Sequence, residues 1–598
     1  MAKAKITEIL TGYERADKKT RLLGKKFHSH KLSGTVTVKT KRFLDSRLMR
    51  GSRELTHLFS YAKGKTYGLL FLTFGILSLF ISFSRVYFGG ADSLPLSELI
   101  IGAAFSALAV PLLLIDSPLP IILQGYKVTD VIFYEFFCLR RLYYTGAEPA
   151  LHPIFGVLIG VCLAALSAIF SVTAVAVGIG IFFFTAMTFR APEFAFFSSL
   201  LALPYFSLIR GSSVILAAVA LLGVISFVRK TVFGKRVIFL EQYDLLIIIM
   251  MLGFLVSGIF LGGMDSFLSA LLMISTSFGY FLASGTVTNR RLADSAISAI
   301  TLSAIPAAIV STVSYINRAV QGDPLGFLEV GISSTFESSE SAAAFFLVAS
   351  VLAMVLVKQS KRLAKKISAA LLLLDLCALL LTGELMALMA LAIGGLAYLA
   401  ISKGRRMVLI LPLLLLLPYL LLLIPGSAIA ALPFRLFSDS ARRVIAASLR
   451  AFRDNPLFGI GMGEESFIGV MDEYGLYSYP DGGNLFVDLA LEAGVITVSA
   501  FVILLAVRLI HISYYRRYMK HSQVKKLSPF IAMAAFSLLV YGSFNRVFSD
   551  LTSFYLFWCI FGIGSGALRV AKAEHDDRIM YFEDERSNES AVVNIHLR

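Results

Sequence analysis

The chain is 598 residues long, 57% hydrophobic and only 16% charged, with a mean hydropathy of +0.78. Soluble domains are about 45–50% apolar, so an ordinary water-soluble enzyme is excluded. The 55 Lys and Arg against 39 Asp and Glu leave a net charge of +16, but in a chain this apolar the position of the basic residues matters more than their total, and no nucleic-acid partner is expected.

Residues 1–65 hold 17 Lys/Arg against 5 Asp/Glu, with no apolar core before Tyr67. They read as a cytoplasmic tail, lying on anionic membrane lipid or simply solvated, and not as a signal peptide. About sixteen apolar segments follow, near 66–84, 97–114, 153–171, 172–188, 194–208, 212–228, 245–261, 264–284, 293–316, 340–357, 367–382, 385–401, 407–424, 485–511, 529–546 and 551–570. A helix of about 20 apolar residues crosses a bilayer, whereas a β-barrel shows alternating segments of about ten. The expected fold is an all-α polytopic membrane protein with about 14–16 transmembrane helices, the pair at 153–188 being the open point of the count. One multi-spanning domain, 66–571, stands between the basic tail and a mixed-charge C-terminal tail, 572–598.

If every segment crosses, the clusters Arg229/Lys230/Lys235/Arg236, Lys358/Lys361/Arg362/Lys365/Lys366 and Arg516/Arg517/Lys520/Lys525/Lys526 share one side. The positive-inside rule makes that side cytoplasmic and places both termini there. The other side has a short loop at 317–339 and one large loop at about 425–484 with room for short helices.

The outer side then carries Arg85, Arg210, Arg318, Arg435, Arg442, Arg443, Arg450, Arg453 and Arg546, and no lysine. Arginine presents a planar fork that grips phosphate through two bonds, while lysine is a hydrated point charge. An all-arginine face therefore suits a phosphate or pyrophosphate, or else pairs with nearby acids. All eight histidines map to the cytoplasmic side or its edges, and the four cysteines have no paired spacing. No outer zinc set, Ser-His-Asp arrangement or dense acidic cluster is apparent, so neither a metal nor another cofactor is expected.

Within the large loop, S-A-R-R-V-I-A-A-S-L-R-A-F-R-D-N-P (440–456) has helical character, with Arg443, Arg450 and Arg453 on one side and Arg442 bordering it. The turn G-I-G-M-G (459–463) follows, and then N-L-F-V-D-L-A-L-E-A-G-V-I-T (484–497), which opens a membrane helix. Asp488 and Glu492, four residues apart, share one face of that helix near its outer end. Carboxylates so close to a bilayer face a cavity, the bundle interior or a partner. Two readings stand: a general base for a hydroxyl, or a structural pair with arginine. Glu337, Glu340 and Glu384 sit at other outer helix ends, and Asp375, inside an apolar helix, reads as a buried hydrogen-bonding group.

The order D-N-P-L-F-G-I-G-M-G, loop, G-G-N-L-F-V-D-L-A-L-E-A-G-V-I-T resembles the bacterial O-antigen ligase and O-antigen polymerase family of membrane glycosyltransferases. S-S-T-F-E-S-S-E-S-A-A-A-F-F (333–346) and L-L-T-G-E-L-M-A-L-M-A (380–390) extend the likeness upstream, so that it covers about 190–570 and is strongest over 440–511. The resemblance implies a donor glycan on undecaprenyl pyrophosphate, transferred on the outer face of the bacterial cytoplasmic membrane to a glycan acceptor. Membrane lipids and other polysaccharide-assembly proteins, such as a chain-length regulator, are the partners it implies.

By the same resemblance Arg210, Arg318 and either Arg442 or Arg443 would bind the pyrophosphate and stabilise its leaving charge. Glu492 completes the catalytic candidates, and Arg450, Arg453, Asn484, Asp488 and Gly494 are the substrate-binding ones. The sequence departs from the family pattern at four points. Gly483 stands where ligases have His, although Asn484 and Gly494 keep the spacing. Thr382-Gly383-Glu384-Leu385 lacks the junction arginine, no Asn-Pro-Asn follows Thr335-Phe336, and Arg442 is one position off the common spacing to Pro456. The missing His argues for a polymerase over a ligase, with a lipid-linked oligosaccharide flippase or transporter as the reading from another class.

Overall fold

A computed structural model describes residues 61–403, 439–476, 484–519 and 527–596, with interruptions at 90–95, 119–120, 122–124, 138–150, 210, 233–240, 242, 262 and 322–330 and a few isolated residues beyond these stretches. The chain is all-α: among the described residues there is no β-strand, only an isolated bridge between Lys63 and Pro118. The helices are α1 (Gly64–Gly89), α2 (Leu96–Leu113), α3 (Pro153–Ile169), α4 (Val172–Arg190), α5 (Pro192–Ala202), α6 (Ser212–Val232), α7 (Asp244–Phe260), α8 (Gly263–Thr286), α9 (Arg290–Val320), α10 (Ser339–Gln359), α11 (Arg362–Leu381), α12 (Leu385–Lys403), α13 (Asp439–Asp454), α14 (Glu464–Glu473), α15 (Leu485–Met519), α16 (Ser528–Gly542) and α17 (Leu551–His596).

Among the described residues, ten of these are long and apolar enough to cross a membrane: α1, α2, α4, α6, α8, α9, α10, α12, α15 and α17. The helices α3, α7 and α16 are apolar but shorter, and α11 carries Arg362, Lys365, Lys366 and Asp375 on its 20 residues. The open pair at 153–188 is two helices. Pro153 begins α3 at a position whose N–H needs no partner, and Ser171 caps α4 by accepting the Ala174 N–H at 3.0 Å. The segment 194–208 is too short to span as one helix, because α5 stops at Ala202 and a 3-10 turn (Leu203–Leu208) holding Pro204 follows. The apolar segment 407–424 lies outside the described residues.

The contacts divide the chain into two compact units, Thr11–Phe194 and a unit built from Ala195 onward, with the boundary inside α5. In the first, α1 packs against α2 and α3 through small residues. A Cβ at Gly156 would overlap the Thr66 carbonyl and one at Gly160 the Thr73 hydroxyl, so backbones touch where any larger residue would separate them. Arg85 pairs with Glu98 at 3.3 Å and donates to the carbonyls of Ser167, Ala168 and Phe170 at the end of α3, while Glu98 accepts the Val172 N–H opening α4. Arg85 thus satisfies backbone groups that a helix end leaves open.

In the second unit α10 is the central helix, buried on all sides from Ser341 to Ala353. The helices run back and forth between two ends. At one end Tyr280 donates to Asp244 Oδ1 (2.6 Å), Tyr243 and Ser565 share a bond of 2.6 Å, and Arg508 donates to Tyr243 (3.0 Å), joining α7, α8, α15 and α17. Every described lysine of this unit, from Lys230 to Lys572, lies at that end. The opposite end holds the starts of α8, α10, α12, α15 and α17 and the helices α13 and α14. Asp375 is 1% exposed in α11, but neither of its carboxylate oxygens has a hydrogen-bond partner, which differs from the bonded group expected from sequence.

Candidate functional site

The lysine-free end is organised by the first half of α15. Asn484 caps it: Oδ1 accepts the N–H groups of Phe486 (3.0 Å) and Val487 (3.3 Å), and the side-chain amide donates to the Ser543 carbonyl at 2.8 Å. One helical turn apart, Asp488 and Glu492 then face the same way and are both buried.

The helix breaks two residues after Glu492, where Gly494 has φ 77° and ψ 176°. A break of this kind frees backbone groups inside an apolar bundle, and three of them find partners outside the helix. The Val495 N–H donates to the Pro456 carbonyl (2.8 Å), the Ile460 N–H to the Leu491 carbonyl (2.8 Å), and the Ser257 hydroxyl to the Glu492 carbonyl. The stretch 456–460 therefore lies in the break. Met462 N–H, bonded to Ser266 Oγ at 2.7 Å, ties the rest of the glycine turn to the start of α8.

Into this frame comes Arg546, from the connection between α16 and α17. Its Nε is 3.4 Å from Asp488 Oδ2, its Nη2 is 3.2 Å from Glu492 Oε1, and its guanidinium lies 3.4 Å from the centre of the Phe467 ring, on α14. Glu492 also takes the Gly463 N–H. Asp488, Glu492, Arg546 and Ser549 form the polar wall of a cavity of about 40 Å3 whose apolar wall includes Phe254 and Phe554. At about 10–15 Å3 per water, that space admits a few waters or one hydroxyl group, not a sugar ring.

Beside it, Val444, Ala447 and Ala451 of α13 pack against Phe467, Met471 and Leu491, leaving Arg443, Arg450 and Arg453 exposed on the other face. A second carboxylate group occupies the same end: Ser339 donates to Glu384 Oε1 at 2.9 Å, and Tyr541 bonds with Glu384 and Asn545.

Of the residues singled out from sequence, the structure brings together Asn484, Asp488, Glu492 and Gly494. Arg318 is exposed near the end of α9, and with Arg443, Arg450 and Arg453 it stays off the cavity wall. Arg210 and the side chain of Arg442 lie outside the described residues. Arg546 is the residue of this centre that sequence reasoning did not single out; it counted among the outer arginines, but only its place in a short polar stretch between two apolar segments marked it. Among the described residues no group of three His, Cys, Asp or Glu is arranged to hold a metal ion.

What fold and site define is an all-α, multi-pass membrane protein with a buried arginine–dicarboxylate centre at one end of its helices. No protein-family model matches the chain, and no curated protein sequence matches it.

Proposed function

We propose that the protein is a membrane glycosyltransferase that polymerises oligosaccharide repeats carried on undecaprenyl pyrophosphate, on the outer face of a bacterial cytoplasmic membrane. The observation that carries this reading is the buried Asp488–Arg546–Glu492 centre at the lysine-free end of the bundle, with the arginine face of α13 beside it. The lysine-rich end is the cytoplasmic one, in keeping with the bias that sets membrane orientation.

In this reaction an acceptor hydroxyl attacks the anomeric carbon of the donor, the new glycosidic bond forms, and the bond to the pyrophosphate breaks. The electron pair leaves on the phosphate, and the hydroxyl proton passes to a carboxylate of the Asp488/Glu492 pair. Arg318, Arg443, Arg450 and Arg453, exposed and permanently charged, hold the pyrophosphate and stabilise the charge that develops on it, a role that electrostatics alone fills. A transporter would be expected to concentrate charges near the midplane. Here the charged clusters stand at helix ends, Asp375 apart, which favours chemistry at the surface.

The test is Arg443→Ala: glycan extension is lost while the chain remains in the membrane at its normal level. Unchanged extension removes Arg443 from the mechanism.

A further inference from the structure

The two carboxylates at the break in α15 are not equivalent. Glu492 leaves no buried oxygen without a partner: Oε1 receives Arg546 Nη2 at 3.2 Å, and the carboxylate also takes the Gly463 N–H. Asp488 faces Arg546 Nε through Oδ2 at 3.4 Å and its carboxylate takes the Asn484 N–H, as Glu492 takes that of Gly463, but its Oδ1 is buried with no hydrogen-bond partner of its own. Asp488 is 8% exposed and belongs to the cavity wall. A buried acceptor without a donor is unfavourable and is relieved when a ligand supplies one.

The donor that fits is a hydroxyl. One guanidinium already shared by two carboxylates has no surplus positive charge to offer a phosphate, and a cavity of about 40 Å3 admits an O–H group but not a pyrophosphate. Exposed positive charge stands on α13, where Arg443, Arg450 and Arg453 lie on the face turned away from Val444, Ala447 and Ala451.

We propose that Asp488 Oδ1 is the atom that takes the acceptor hydroxyl, and that the donor pyrophosphate is held apart from it on the arginine face of α13. The assignment rests on the glycosyl-transfer reading and divides its labour. Asp488 accepts the hydroxyl proton as the oxygen bonds to the donor's anomeric carbon, and the bond to pyrophosphate breaks with its electron pair leaving on the phosphate. Glu492 is a positioning residue: it fixes Arg546, which fixes Asp488 Oδ2 and so presents Oδ1.

The experiment uses the full chain in lipid nanodiscs with two probes, undecaprenyl pyrophosphate without glycan for binding and a lipid-linked repeat plus the free repeat oligosaccharide for turnover. Asp488→Asn is expected to lower kcat at least 100-fold, the usual scale for a lost general base, while binding undecaprenyl pyrophosphate within about twofold of the wild type. Intact lipid binding also shows that the variant is folded, and Asp488→Glu restores part of kcat. Glu492→Gln raises KM for the free oligosaccharide and keeps kcat within about tenfold. The triple variant Arg443→Gln/Arg450→Gln/Arg453→Gln weakens undecaprenyl pyrophosphate binding at least tenfold. Extension by Asp488→Asn at the wild-type rate, or loss of kcat in Glu492→Gln alone, overturns this assignment and leaves glycosyl transfer standing. A wild-type chain that extends no repeat overturns both.

Discussion

Gly459 and Gly494 hold left-handed backbone, φ 79° and 77°, where the stretch 456–460 lies in the break of α15. A Cβ on Gly494 would overlap the Leu457 carbonyl, and one on Gly459 would overlap the carbonyls of Leu491 and Glu492. Each glycine thus makes room for the backbone beside the other. Left-handed geometry costs a side chain about 1–2 kcal/mol and overpacking about 1–3 more, so Gly459→Ala and Gly494→Ala are each expected to destabilise by roughly 2–5 kcal/mol. Gly395 in α12 has open space around it, and Gly395→Ala is expected to be neutral or stabilising by up to about 1 kcal/mol. Thermal midpoints in detergent check all three.

Arg546 neutralises two buried carboxylates and lies on the Phe467 ring. Removing one partner of such a group leaves buried charge uncompensated, at about 3–5 kcal/mol, so Arg546→Gln is strongly destabilising. Arg546→Lys recovers little of this, because a point charge cannot reach both carboxylates and stack on the ring as a planar fork does. The triple variant Arg546→Gln/Asp488→Asn/Glu492→Gln regains stability over Arg546→Gln alone. Thermal denaturation of the set gives the coupling, and additive losses would show that the three residues do not act as a unit.

The Tyr280–Asp244, Tyr243–Ser565 and Arg508–Tyr243 bonds join four helices at the end away from the site. Asp244 and Ser257, at the two ends of α7, are about 20 Å apart along the helix. Tyr280→Phe leaves Asp244 Oδ1 without that donor and is expected to lower stability by about 1–3 kcal/mol while glycan extension continues. A loss of extension at unchanged stability would contradict this separation of roles.

The orientation is open to direct chemistry. Glu465, exposed at the start of α14, and Lys365, exposed on α11, stand at opposite ends of the second unit. With a membrane-impermeant maleimide, Glu465→Cys is expected to label in intact cells above the wild-type background, and Lys365→Cys only after permeabilisation. The reverse pattern would invert the protein.

The helical, membrane-spanning character was legible because apolar runs of bilayer length need no tertiary information. The grouping of Asn484, Asp488 and Glu492 was legible for the same reason, since one cap and one helical turn fix it. What sequence could not supply was the third partner. Arg546 reaches Asp488 from 58 positions away, through the connection between α16 and α17, and no local period encodes that meeting. Gly494 kept a motif spacing, but its physical reason is the approach of the 456–460 backbone, which only the fold reveals. The segment 194–208 shows the opposite limit: its hydropathy suggested a crossing, and Pro204 ends the regular helix before one is complete.

The most direct test of the central claim is the size distribution and sidedness of undecaprenyl-pyrophosphate-linked glycans in cells lacking this protein. The account predicts single repeats accumulating on the outer face, restored to long chains by the wild-type chain and not by Asp488→Asn. Full-length chains stranded on the lipid carrier would make the protein a ligase, single repeats trapped inside would make it a flippase, and an unchanged profile would contradict glycosyl transfer altogether.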